Sequence, residues 1–108
     1  MSKEQKLAWY QAAIDLIDDV DMKGKNNLYT SLNGHMFSFL GKEDILAVRL
    51  GKEELEAKLT ELKTEKPIQY NTVMKEYVTV PDSLAKDAKK FAALIAQGRD
   101  YVASLPPK

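Results

Sequence analysis

Cysteine is absent, and histidine and tryptophan occur once each. The lack of cysteine removes disulfides, thiol catalysis and thiolate metal sites together. A single histidine, His35, is a poor start for a metal site without cysteine, and no serine or carboxylate is placed near it by spacing to build a catalytic relay. Net charge is missing as well: sixteen basic residues balance sixteen acidic ones. A neutral chain lacks the electrostatic footprint of a nucleic-acid binder and has no general attraction to an anionic membrane. No apolar run approaches the ~20 residues of a membrane span, and "MSKEQKLAWY" turns polar too early for a secretion signal. The expectation is a cytoplasmic protein of bacterial size, with no cofactor.

What is present suits a globular fold. The 108 residues are 44% hydrophobic and 30% charged, the proportions of one ordinary domain over 1–108. Apolar residues at three- and four-residue spacing (Leu7, Tyr10, Ile14, Ile17) predict a helix over 3–20, with Ser2 as N-cap. Charge, Gly24 and Asn26-Asn27 then break the pattern. In "LYTSLNGHMFSFL" two β-rich runs flank Asn33-Gly34, the strongest two-residue hairpin signal. That turn pairs Leu32 with His35, Thr30 with Phe37 and Leu28 with Phe39. One face then carries Leu28, Leu32, Phe37 and Phe39, and the other Tyr29, Ser31, Met36, Ser38 and Leu40. A turn at Lys42-Glu43 would pair Phe39 with Leu46 and Phe37 with Val48. It sets Leu46, Val48 and Leu50 on the core face, with Ile45, Ala47 and Arg49 behind.

Leu55, Leu59 and Leu62 mark a second helix over 52–64, which Lys66-Pro67 ends. "IQYNT" holds a very short strand and a turn. A strand over 73–80 follows, stopped by Pro81, and a helical stretch then runs to residue 105, with a separate opening turn before Asp87. The order α-β-β-β-α-β(-β)-α predicts an α+β domain, helices packed on the core face of an antiparallel sheet. Lys75 and Glu76 interrupt the strand over 73–80. A strand buried on both faces would not tolerate them, whereas an edge strand would.

"VMKEYVTVP", followed by a long terminal helix and "SLPPK", resembles the TfoX N-terminal domain family, as do "LNGHMFSFL" and "ILAVRLGKEELEAKL" upstream. The likeness spans about residues 5–108 and is most specific at Met74-Lys75-Glu76-Tyr77-Val78 with Pro81. The family's glycine-rich "MFGG"-like strand is replaced by "LYTSL", which marks a divergent, stand-alone member. The resemblance implies a curved antiparallel sheet with flanking helices and brings no catalytic residues. The family's name comes from a competence regulator with a second domain that has no counterpart in this sequence.

The other motifs read as ordinary surface. The acidic run Asp15, Asp18, Asp19 and Asp21 lacks calcium-loop spacing. Gly24-Lys25 and Gly51-Lys52 lack the rest of a phosphate loop. Lys86, Lys89 and Lys90 are diluted by Asp82 and Asp87, which argues against nucleic acid. One feature calls for a partner. Tyr29, Met36, Leu40, Ile45 and Ala47 make the second sheet face too apolar for water alone, so a helix, a second copy of the chain or a protein partner should cover it. Tyr29, Met36, Ile45 and Arg49 are the candidate contact residues, with Lys75 and Tyr77 as a second site. The expected role is protein interaction or regulation without catalysis, with a homodimer as the simplest assembly. The alternative is a small-molecule pocket, or a minor enzyme site, between sheet and helices near His35 and Tyr77.

Overall fold

The computed structural model describes residues 3–25, 28–69 and 71–107. Ser2, Asn26-Asn27 and Tyr70 lie outside the described residues. The chain folds as α1 (Lys3–Ile14), β1 (Leu28–Leu32), β2 (His35–Leu40), β3 (Leu46–Arg49), α2 (Lys52–Glu61), β4 (Ile68–Gln69), β5 (Thr72–Val73), β6 (Tyr77–Thr79), α3 (Asp82–Ala85) and α4 (Ala88–Ala103). This is the expected α+β class and order. The main sheet runs β1-β2-β3-β6, antiparallel throughout, and β4-β5 form a separate hairpin.

Helix α1 stops at Ile14, short of the expected Val20. Asp15, Asp18 and Asp19 would place negative charge at the negative end of the helix dipole, so extension is disfavoured. The chain closes with three-residue bonds from Leu16 N to Ala13 O and from Ile17 N to Ile14 O. Ile17 and Val20 are buried all the same. Their burial sets the apolar spacing here, without helical backbone.

The β1–β2 turn forms at Asn33-Gly34, both with positive φ as a type I′ turn requires. Leu32 pairs with His35 and Ser31 with Met36, but Thr30 then pairs with Ser38, Tyr29 with Phe39 and Leu28 with Leu40. Phe37 is the extra residue of a β-bulge. Its effect reaches both neighbours of β2, because a short 3-10 turn at Lys42–Asp44 lengthens the next connection and sets Leu40 against Leu46 and Ser38 against Val48. A one-residue slip exchanges the faces of a strand. The expected facing of β1 and β3 holds, whereas beyond the bulge that of β2 is reversed. Ser38 and Leu40 turn into the main core and Phe39 turns to the opposite face.

The expected strand over 73–80 is broken in two. Thr72–Val73 pairs with Ile68–Gln69, the chain turns through Lys75-Glu76, and Tyr77–Thr79 joins β3 at the sheet edge. The helices gather on the face of Phe37, Leu40, Leu46 and Val48, where they close one large core with Tyr10, Phe91, Ile95 and Val102. The opening turn of the last helical stretch is the separate α3. Asp87 caps α4 by accepting from the Lys90 amide. Midway along α4, Gly98 lies so close to the sheet that a β-carbon there would meet Arg49 O at 2.7 Å.

Candidate functional site

The second sheet face is built by strands and their connections. Phe39 (β2), Ala47 (β3) and Tyr77 (β6) are buried on it, with Tyr29, Met36, Ile45 and Met74 half-buried around them. No helix residue joins this cluster among the described residues. Tyr77 reaches from the edge strand across β3. Its ring lies 5.2 Å from that of Phe39, centroid to centroid, and its hydroxyl donates to Met36 O at 2.8 Å. Burial pushes the Tyr77 phenol up to about 12; the Arg49 guanidinium pulls the other way and the Glu76 carboxylate adds to the rise. Tyr77 is therefore a neutral donor at physiological pH.

The β4–β5 hairpin covers one end of this face. Gln69 is buried, and its side-chain amide treats the Lys42 peptide as a strand would, accepting from Lys42 N at 2.9 Å and donating to Lys42 O at 3.3 Å. Between this hairpin and β1-β2 lies a hollow of about 190 Å³ walled by Leu28, Tyr29, Met36, Phe39 and Met74, with Gln69 and Gly41 at its end. The outer side of the hairpin is apolar too. Its cross-strand pair Ile68 and Val73 stands 60% and 47% exposed.

Four of the six residues singled out from the sequence, Tyr29, Met36, Ile45 and Tyr77, come together on this face. Tyr77 thus belongs with the first three instead of forming a second site with Lys75. Arg49 is engaged within the chain. It holds Glu76 through both Nε and Nη2, at 3.0 and 2.6 Å from Oε2, and its guanidinium stands 5.6 Å from the centre of the Tyr101 ring. Lys75 is exposed in the turn before β6, in a separate cleft with Lys52 and Lys66.

Among the described residues His35 and Tyr77 do not come together as a pocket near both would require, because the two side chains lie on opposite faces of the sheet. His35 pairs with Leu32, which packs on the main core, and its Nε2 is 2.7 Å from Pro106 O. Its Nδ1 is buried without a partner among the described residues. The geometry ties the C-terminal segment to the first hairpin.

Sequence reasoning missed Phe39, Met74 and Gln69. Phe39 was hidden by the bulge. Met74 and Gln69 belong to a hairpin whose strands are two residues each, too short for a periodic signal. The acidic run after α1 is partly answered by an ion pair between Asp19 and Arg99 of α4. No group of three or more histidine, aspartate or glutamate side chains among the described residues could hold a metal ion, and no helix among them is long and apolar enough to cross a membrane. Comparison with protein-family models, curated proteins and solved structures finds no match to this chain.

Proposed function

We propose that this protein is a cytoplasmic, non-catalytic domain that acts by binding a protein surface, in a regulatory role of the kind its resemblance to TfoX N-terminal domains suggests. One observation carries the reading. Among the described residues the helices pack on one side of the main sheet, and the other side keeps a cluster of aromatic, methionine and isoleucine side chains that the small β4–β5 hairpin partly covers. Apolar faces of this kind mark association sites on soluble proteins. The half-buried rim of Tyr29, Met36, Ile45 and Met74 supplies flat, adaptable contact area. A second copy of the chain is the simplest cover, since a two-fold axis lets one patch meet itself.

Solution mass measured by light scattering over a concentration series tests this, using the native chain and a Met36→Asp, Ile45→Asp double variant. The expected result is concentration-dependent dimerisation of the native chain and a folded, monomeric variant, with folding checked by circular dichroism. A native chain that stays monomeric at every concentration rules out the homodimer. Association that persists in the folded double variant rules out this face.

A further inference from the structure

The adjacent charges Lys75 and Glu76 differ in their pairing. Glu76 is claimed by Arg49, while Lys75 has no ion pair or hydrogen bond among the described residues. It lines a cleft of about 280 Å³ that Glu76 also borders. Three lysines from three separate segments line this cleft: Lys52 at the start of α2, Lys66 from the α2–β4 link and Lys75 from the turn before β6. Lys52 and Lys66 are also without an ion pair or hydrogen bond among the described residues. Leu50 and Leu55 form a buried apolar floor, and the Tyr101 ring makes one wall.

The charge balance of this cleft is uneven. Two carboxylates, Glu56 and Glu76, are in the lining, and the guanidinium of Arg49 answers Glu76. Three lysines then stand against the single unanswered carboxylate of Glu56 in the lining, an excess of two positive charges (three minus one) in a chain whose net charge is zero. Like charges gathered at a low-dielectric wall repel, and an anion placed among them relieves that repulsion.

The residue types narrow the anion. Planar carboxylates are best held by the arginine fork, and the arginine at this rim is already spent on Glu76. Lysines are compact point charges that can converge on a tetrahedral dianion from several directions. The apolar floor and the Tyr101 ring offer contact to an organic group attached to it, and the volume suits a small molecule. We infer that this cleft binds a small phosphorylated molecule, with its phosphate among Lys52, Lys66 and Lys75 and its organic part against Leu55 and Tyr101. The site shares no lining residue with the hollow on the second sheet face, so it stands or falls independently of the protein-binding reading.

The test is an amide NMR titration of the full chain with phenyl phosphate, with phenol as the uncharged probe. It is repeated on a Lys66→Met, Lys75→Met double variant and on Lys52→Met. The expected result is saturable shifts at Gly51, Leu55, Glu76 and Tyr101 below about 10 mM phenyl phosphate, with no matching response to phenol. Binding should weaken about tenfold or more in the double variant and in high salt. The lysines make no ion pair or hydrogen bond within the described residues, so the variants keep the native spectrum elsewhere. Non-saturating shifts, equal binding of phenol, or unchanged affinity in the folded double variant would overturn the assignment.

Discussion

Tyr77 and Met36 stand on strands that do not touch, and the Tyr77 hydroxyl joins them across β3 with a 2.8 Å bond to the Met36 carbonyl. The edge strand is thereby fastened to the middle of the sheet by a side chain as well as by its short ladder to β3. Tyr77→Phe keeps the ring against Phe39 and removes only that bond. The variant should lose about 0.5–1.5 kcal/mol in urea denaturation at neutral pH. An unchanged midpoint would show that the bond contributes nothing.

The same residue sets an alkaline limit. Burial raises Tyr77 from 10.0 to about 12 and raises Tyr10 as well, so between these values the folded chain holds protons that the unfolded chain has released. Stability is therefore level with respect to these phenols below about pH 10 and is lost as pH rises through about 12. Chemical denaturation from pH 8 to 11.5 should show the decline, and Tyr77→Phe should make it shallower. A variant with the native slope would assign the decline to other groups.

Ser38 sits between Tyr10 and Thr30 in the main core, its hydroxyl 2.5 Å from each of theirs. Both Thr30 and Ser38 are fully buried, as is Tyr10. Ser38→Ala removes one partner from two buried hydroxyls at once. Thermal and urea unfolding should show a loss of about 2–3 kcal/mol, more than Tyr10→Phe, which leaves Ser38 and Thr30 paired. The reverse ranking would mean that water replaces the missing hydroxyl.

Gly98 tests how closely α4 lies on the sheet. Alanine is the better helix former by about 1 kcal/mol. Its β-carbon would nevertheless meet Arg49 O at 2.7 Å and Val48 Cγ1 at 2.8 Å, and the first of these is backbone that cannot swing aside. Gly98→Ala should therefore destabilise by about 1–3 kcal/mol despite its propensity. A stabilised variant would mean that helix and sheet are farther apart than described.

Much of the fold was legible because its signals are local. Asn33-Gly34 demands positive φ at both residues, so the first hairpin and its first two pairs follow from composition alone. The alternation of Leu46, Val48 and Leu50 against Ile45 and Ala47 needs no partner to be read, and both sets lie on the faces expected of them, whereas the Arg49 guanidinium reaches Glu76 and the Tyr101 ring. The apolar character of the second face was visible in Tyr29, Met36 and Ile45 for the same reason. Its exact membership was not. Unbroken alternation from the Asn33-Gly34 turn reads Ser38 as an outward residue and Phe39 as an inward one. The bulge at Phe37 reverses both, and the Tyr10 and Thr30 hydroxyls that make a buried Ser38 acceptable are distant in sequence or on another strand.

The sequence by itself determined the α+β class, the order of elements, the first turn and the facing of β1 and β3, since each rests on spacing within a few residues. Tertiary structure alone decided where Lys75 and Glu76 go. In sequence they are neighbours interrupting one strand. In space the chain turns at them, because Thr72–Val73 finds Gln69 and Ile68 while Tyr77–Thr79 finds β3, and Glu76 is held by Arg49 while the Lys75 side chain makes no ion pair among the described residues at the cleft that both residues line. Which surroundings each one meets depends on other segments of the chain, Arg49 of β3 for Glu76 and Lys52 and Lys66 for Lys75, and no local pattern around residues 75 and 76 carries that information.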